Sequence, residues 1–355
     1  MVPMRMVARS LSAFLVLAAT WGGRGAGATN LWDEVTGLLE SHGVSVAEPA
    51  LQRAAVQGLL QEPGVRARLL SEAEDLVAEG EREGLSYPDF SLADSGAVAR
   101  VRAAAPTRRP CCEAVERWPH RLAYVRIRGL YAGDSNRVAA VLQGLDSCGG
   151  TTSVRGAILD LRGAGGQNAE AAARAAALFR KPGETMFSVL DGHGVTGAVY
   201  SATSTPLVSV PVMLLVDRRT TGAAELFAAV VRRSSRTLVV GQATSGDGGL
   251  RESLALADGQ RLELVSRRFA LGDGAQIPWT GLAPDVAMSA WAAPAAETEA
   301  ETKPAGKPVG KESADDAILA NRTKGDPVLR RATDLLLGLN ALGVSERGTG
   351  QDRGR

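Results

Sequence analysis

Residues 210–231 read VPVMLLVDRRTTGAAELFAAVV, and this stretch decides the fold. Val210 to Val216 is a continuous apolar run that ends at a charged turn. Such a run marks a strand covered on both faces, as in a parallel sheet. Ala223 to Val231 is apolar and alanine-rich, with Thr220 and Thr221 just before it, where capping residues of a helix belong. A buried strand, a short turn and a helix are the repeating unit of an α/β domain.

The same unit recurs outward in both directions. Leu122–Ile127, Gly156–Leu161 and Thr237–Val240 read as strands, and Ser135–Leu145 and Glu170–Phe179 as helices. Leu254–Leu256 and Arg261–Val265 predict a hairpin across Asp258-Gly259. The α/β core is therefore expected over residues 120–290. Before it, residues 29–85 have helical apolar spacing, and the proline-punctuated residues 86–119 read as a linker. After it, residues 291–325 have the Ala, Pro, Glu, Lys and Gly composition of a solvated linker. Asp326-Pro327 opens a helix over residues 326–344, since proline is favoured at a first helical position. Residues 345–355 read as a disordered tail.

Composition excludes several classes of function. The chain has 40 basic and 39 acidic side chains, so no surplus of positive charge invites nucleic acid. Aromatics are 4% of 355 residues, too few for base-stacking platforms. Residues 1–28 have the anatomy of a secretory signal: Arg5 and Arg9, an apolar LSAFLVLAATW, then Ala26-Gly27-Ala28. Cleavage is expected before Thr29, giving a periplasmic or extracellular protein with no stable membrane insertion. In an exported chain Cys148 is expected to bridge to Cys111 or Cys112, leaving one thiol over. A metal site is disfavoured, because three thiols lack a spaced fourth ligand and His42, His120 and His193 are scattered. No cofactor motif is present.

Three glycine-containing loops follow predicted strands. Asp160-Leu161-Arg162-Gly163-Ala164-Gly165-Gly166 precedes a helix, where backbone N–H groups can face an anion. It lacks the Lys-Ser/Thr of a Walker loop, and Asn168 stands where a dinucleotide fingerprint has its third glycine. Thr220-Thr221-Gly222-Ala223-Ala224-Glu225 is the second loop, and the polar run from Gly241 to Gly249 is the third. Taken singly they read as a tight turn, a capped helix start and a surface loop.

Together, in this order and spacing, they resemble the C-terminal processing peptidases, also called tail-specific proteases. Gly281-Leu282-Ala283-Pro284-Asp285-Val286 and the Asp326–Leu335 helix match two further family elements. The resemblance covers residues 120–340 and implies a crotonase/ClpP-like α/β core. It also implies an exported serine endopeptidase with a Ser–Lys dyad. Carried over position by position, the nucleophilic serine falls on Gly222, the lysine base on Asp247 and its polar support on Arg251. The family's oxyanion donors are main-chain amides, corresponding to Gly165 or Gly166 and Ala223. The family's PDZ module has no counterpart, since residues 86–119 alone fill its place.

These substitutions remove the chemistry. A hydroxyl is a weak nucleophile until a base takes its proton, and glycine has no hydroxyl. In a hydrolase of another fold, loss of the nucleophile costs about 10⁶ in rate. No lysine lies between Lys181 and Lys303 to replace the base. The sequence therefore predicts an inactive homologue that binds a polypeptide or protein ligand as a scaffold. One rival is an active peptidase with a relocated nucleophile such as Thr221, with Thr220 and a His193 base as weaker variants. The other rival is a structural envelope protein. Oligomeric state is not legible.

Overall fold

The computed structural model describes residues 35–37, 41, 48–62, 65–88, 92, 96–134, 136–145, 154–288 and 313–343. The signal-like residues 1–28, Cys148 with its expected bridge, most of the linker after the core, and the tail lie outside these. Residues 1–59 and 60–355 form two units. In the first, residues 48–59 belong to helix α1, Glu48–Gln61.

The second unit continues with β1 (Ala67–Leu70), α2 (Glu72–Arg82), β2 (Leu85–Ser86), α3 (Ala97–Ala103), β3 (Thr107–Arg108) and β4 (Glu116–Trp118). Then come β5 (Leu122–Arg126), α4 (Arg137–Gln143), β6 (Gly156–Asp160), α5 (Ala169–Ala177), β7 (Thr185–Leu190) and β8 (Thr196–Ser201). The decisive stretch gives β9 (Val212–Val216) and α6 (Gly222–Arg232). β10 (Thr237–Gly241), β11 (Gly249–Ala255), β12 (Arg261–Leu271), β13 (Val286–Ala287), α7 (Ala314–Arg322) and α8 (Pro327–Ala341) follow.

One sheet has the order β13-β10-β9-β6-β5-β4, parallel except for the edge strand β4. The apolar run of β9 is buried at every position, as a doubly covered strand requires. Its side chains alternate between two cores. Val212, Leu214 and Val216 pack with α5 and α6, and Met213 and Leu215 face Leu329, Ala332 and Leu336 of α8. The second sheet is antiparallel, order β1-β12-β7-β8, with β11 also on β12. Phe187 of β7 and Phe269 of β12 meet edge-on inside the core shared with α5 and α6. The fold is thus α/β, two sheets with a helical layer between them and α8 outside.

The hairpin across Asp258-Gly259 exists, with longer strands than its sequence pattern suggests. Two expectations for flanking regions change. Residues 29–85 are not wholly helical, because β1 pairs antiparallel with β12 from Ala67↔Leu264 to Leu70↔Arg261. Residues 86–119 are not a plain linker: α3, β3 and β4 lie there, and Val101, Cys111, Cys112 and Trp118 are buried. The two Sγ atoms of Cys111 and Cys112 lie 3.5 Å apart. Likewise α7 sits within the second expected linker, opened by a Ser313–Asp316 capping box. It is held to the core by His120–Asp316 and Arg322–Glu116 contacts.

Candidate functional site

Parallel strands bring their C-terminal ends to one edge of a sheet, and ligands of open α/β sheets bind outside that edge. The loops after β6, β9 and β10 all leave from it. The first is anchored by Asp160, which is fully buried. Its carboxylate meets Arg126 at 2.5 Å, Arg162 at 2.7 Å and the Tyr124 hydroxyl at 3.0 Å. Burial alone would raise this carboxyl. The hydrogen bonds and charges of Arg162 and Arg126 outweigh it and hold the group below the ordinary aspartate range. Arg162 also reaches Asp326 at 2.7 Å, so the turn after β6 is tied to the N-cap of α8. The Asp-Leu-Arg motif is a structural clamp.

The second loop hangs from Thr220, fully buried, whose hydroxyl donates to the Leu161 carbonyl at 2.9 Å. That engagement removes Thr220 as a nucleophile. Thr221 is half-buried: its N–H donates to the Ala164 carbonyl at 2.9 Å and its hydroxyl to Asp247 Oδ2 at 3.0 Å. Gly222, which opens α6, has φ +58°. A Cβ placed there would lie 2.4 Å from the Gly166 carbonyl oxygen and 3.1 Å from Gln167 Nε2. The space that a side chain at this position would need is filled by main chain.

The third loop is fixed by Glu225. Its Oε1 accepts the Gly246 N–H at 2.9 Å and the Thr244 hydroxyl. Burial pushes this carboxyl up, and the Thr244 and Gly246 donors offset only part of the effect. Asp247 follows, and its Oδ2 takes both the Thr221 hydroxyl and Arg251 Nη2, the latter at 2.7 Å. Arg251 extends the chain to Glu263 at 3.1 Å, a carboxylate 1% exposed that also holds Arg68 and Arg82.

The structure therefore brings Gly165, Gly166, Thr221, Gly222, Asp247 and Arg251 together. A Cβ placed on Gly165 would lie 3.4 Å from Thr221 Cγ2. His193 is elsewhere, on an exposed turn before β8 with its N–H on Asp191. Two of the three expected oxyanion amides are occupied: Ala223 N–H donates to Gly166 O at 2.9 Å, and Gly165 N–H to Arg128 O at 3.3 Å. Sequence reasoning missed Gln167, which spans the site by accepting the Arg251 N–H at 2.8 Å. It also missed Glu263, whose only signal was an acid in an otherwise inward-facing strand position. Among the described residues no group of His, Cys, Asp and Glu is arranged to hold a metal ion. No helix among them is long and apolar enough to cross a membrane.

The fold and this cluster define an α/β domain with three loops meeting at the C-terminal ends of its parallel strands. Residues 121–288 match the family described as Peptidase family S41. The chain is 30% identical over 166 residues to the chloroplastic C-terminal processing peptidase of Tetradesmus obliquus, covering 46% of this chain and 34% of that one. It is 32% identical over 132 residues to the carboxy-terminal processing protease CtpA of Bacillus subtilis, covering 37% and 28%. The chain thus spans about a third of the length of these curated relatives. Among solved structures, the photosystem II D1 C-terminal processing protease aligns with TM-score 0.42 and 24% identity, over 52% of this chain and 50% of that one. A lipoprotein from Streptococcus agalactiae aligns with TM-score 0.44 and 18% identity, over 79% and 91%.

Proposed function

We propose that this is an exported, catalytically silent member of the S41 group that binds polypeptide segments as a scaffold. One observation carries the reading: the nucleophile position is Gly222, and the Gly166 carbonyl occupies the space its side chain would need. No hydroxyl at that position awaits a base, and Asp247 replaces the amine. The Ala223 amide, which would stabilise a tetrahedral oxyanion, already donates to a carbonyl. Export is supported by the pattern of residues 1–28. The polypeptide as ligand class is supported by the relatives, which are named for processing carboxyl termini.

A second reading is favoured by one contact, Thr221 Oγ1 to Asp247 Oδ2 at 3.0 Å, the hydroxyl–acid pairing of a relocated nucleophile. Against it, Arg251 bonds the same oxygen that would receive the proton. The test is incubation of the purified mature chain with fluorescent unfolded casein. The scaffold reading expects saturable binding without cleavage and no labelling by a fluorophosphonate. Turnover abolished by Thr221→Ala establishes the relocated nucleophile. Neither binding nor turnover supports a structural envelope role.

A further inference from the structure

Successive side chains of an extended strand point to opposite faces. At Cys111 and Cys112 they do not. The chain bends at Cys111, and the two sulfurs meet at 3.5 Å. Cys112 still pairs with Ile127 as a single antiparallel bridge. The bend thus brings two sequence neighbours together within the apolar core, where they are 1% and 3% exposed. Both are thiols in the structure. What this pair anchors is the first loop of the site. The Cys111 carbonyl accepts the Arg128 N–H at 2.7 Å and the Gly129 N–H at 3.2 Å. Residues 128–130 in turn carry Gly165, whose N–H donates to Arg128 O at 3.3 Å and whose carbonyl accepts the Leu130 N–H at 3.0 Å. Gly166 follows, with the carbonyl that fills the space beside Gly222.

We propose that Cys111 and Cys112 are a redox modification site, closed as a vicinal disulfide while the chain folds, and that this bond sets the position of the segment carrying Gly165. An ordinary disulfide joins Cα atoms about 4.4–6.8 Å apart, whereas consecutive Cα atoms are about 3.8 Å apart. The peptide between the two residues must turn for the sulfurs to close from 3.5 Å to about 2.0 Å. Turning that peptide moves the Cys111 carbonyl, the acceptor of Arg128 and Gly129. The oxidant is a disulfide, as an oxidising compartment supplies. One cysteine thiolate attacks it and expels a thiolate; the other cysteine then attacks the mixed disulfide and expels the second. The pair gives up two electrons and two protons, and the oxidant leaves as two thiols. This exchange belongs to the chain before it packs. In the folded thiol form the hydrogen bond to Cys112, together with burial, pushes the Cys111 thiol up, and a buried protonated thiol is inert. The redox state met during folding is therefore kept afterwards. Export, part of the reading above, enters only as the source of the oxidant.

The experiment provides the oxidant itself. The mature chain, reduced and unfolded in urea, is refolded either with oxidised glutathione or with dithiothreitol, as wild type and as Cys148→Ser. Maleimide labelling in urea and non-reducing peptide mapping then read the thiols. After refolding with the oxidant, Cys148→Ser is expected to have both remaining thiols blocked, in one peptide lighter by two hydrogens and joined to no other. Wild type should show the same peptide with Cys148 free of it. Amide hydrogen exchange at Arg128, Gly129 and Gly165, taken relative to the amides of β9, should differ at least about three-fold between the oxidised and reduced forms. Cys112→Ser should abolish that difference. Free thiols in Cys148→Ser after oxidative refolding, a bridge from either neighbour to Cys148 or to another chain, or equal exchange in the two forms overturns the proposal. None of these readouts involves a polypeptide ligand, so failure of the scaffold reading would leave them unchanged, and casein binding that persists where they fail would leave the scaffold reading standing alone.

Discussion

Placing a serine at position 222 should damage the protein rather than give it a nucleophile. Gly222 has φ +58°, a region that costs a residue with a Cβ roughly 1–2 kcal/mol. The Cβ itself would stand 2.4 Å from the Gly166 carbonyl oxygen, a distance no real contact keeps. Main chain, not a flexible side chain, must move. That shift breaks the Ala223–Gly166 hydrogen bond of 2.9 Å, worth about 1 kcal/mol net. Gly222→Ser is therefore expected to lose roughly 2–4 kcal/mol, which in a domain of this size lowers Tm by about 5–15 °C. Gly222→Ala should lose the same amount, because the cause is the Cβ and not the hydroxyl. The paired change Gly222→Ser with Asp247→Lys should remain unreactive to a fluorophosphonate. Thermal unfolding by circular dichroism measures the loss. A serine variant within about 0.5 kcal/mol of wild type would refute the reasoning, and probe labelling of the paired variant would refute its catalytic half.

Asp160 and Glu225 should act on acid stability with opposite signs. The folded-state carboxyl of Asp160 is lowered, so its contribution is present above the unfolded value near 3.9 and is lost as pH falls through the folded value. Asp160→Asn should flatten that acid limb of a urea-unfolding series and destabilise at neutral pH by about 3–5 kcal/mol, since Arg126 and Arg162 lose their buried partner. Glu225 is raised, so its contribution is present below about pH 4 and is lost as pH rises through the folded value. Glu225→Gln keeps an acceptor for Gly246 and should be as stable as wild type or more so at pH 7; a large loss would contradict the assigned direction. Among the described residues, Arg251→Gln leaves Glu263, 1% exposed, with Arg68 and Arg82, and the Asp247 carboxylate with the Thr221 hydroxyl. It should cost about 1–3 kcal/mol by denaturant titration.

The sequence held the α/β core because its signals were long and apolar. β9 announced itself through five consecutive buried residues, and α6 through an apolar run after a threonine pair. The meeting of the three loops was legible too, since parallel strands must end on one edge. What failed was short or two-sided. β8 exposes nearly every side chain and reads as a polar loop, and α3 is seven residues long, too short for a helical period to declare itself. The occupied Ala223 amide was beyond reach, because a main-chain hydrogen bond between loops 57 residues apart (166 to 223) leaves no side-chain signature. Gln167 and Glu263 escaped for the same reason: each acts by meeting a residue distant in sequence.

The Arg162 bond to Asp326 sets an order of events during synthesis. Asp160 and its turn leave the ribosome early, while the carboxylate that completes the clamp on Arg162 is made 166 residues later (326 − 160). At about 5–20 residues per second, that is a delay of roughly 10–30 s. Throughout it the face of β6 and β9 that carries Ile158, Met213 and Leu215 lacks its cover from Leu329 and Leu336. The nascent chain thus exposes an apolar sheet face that only its late C-terminal helix can close, which makes the interval before α8 emerges the period when a chaperone has something to hold.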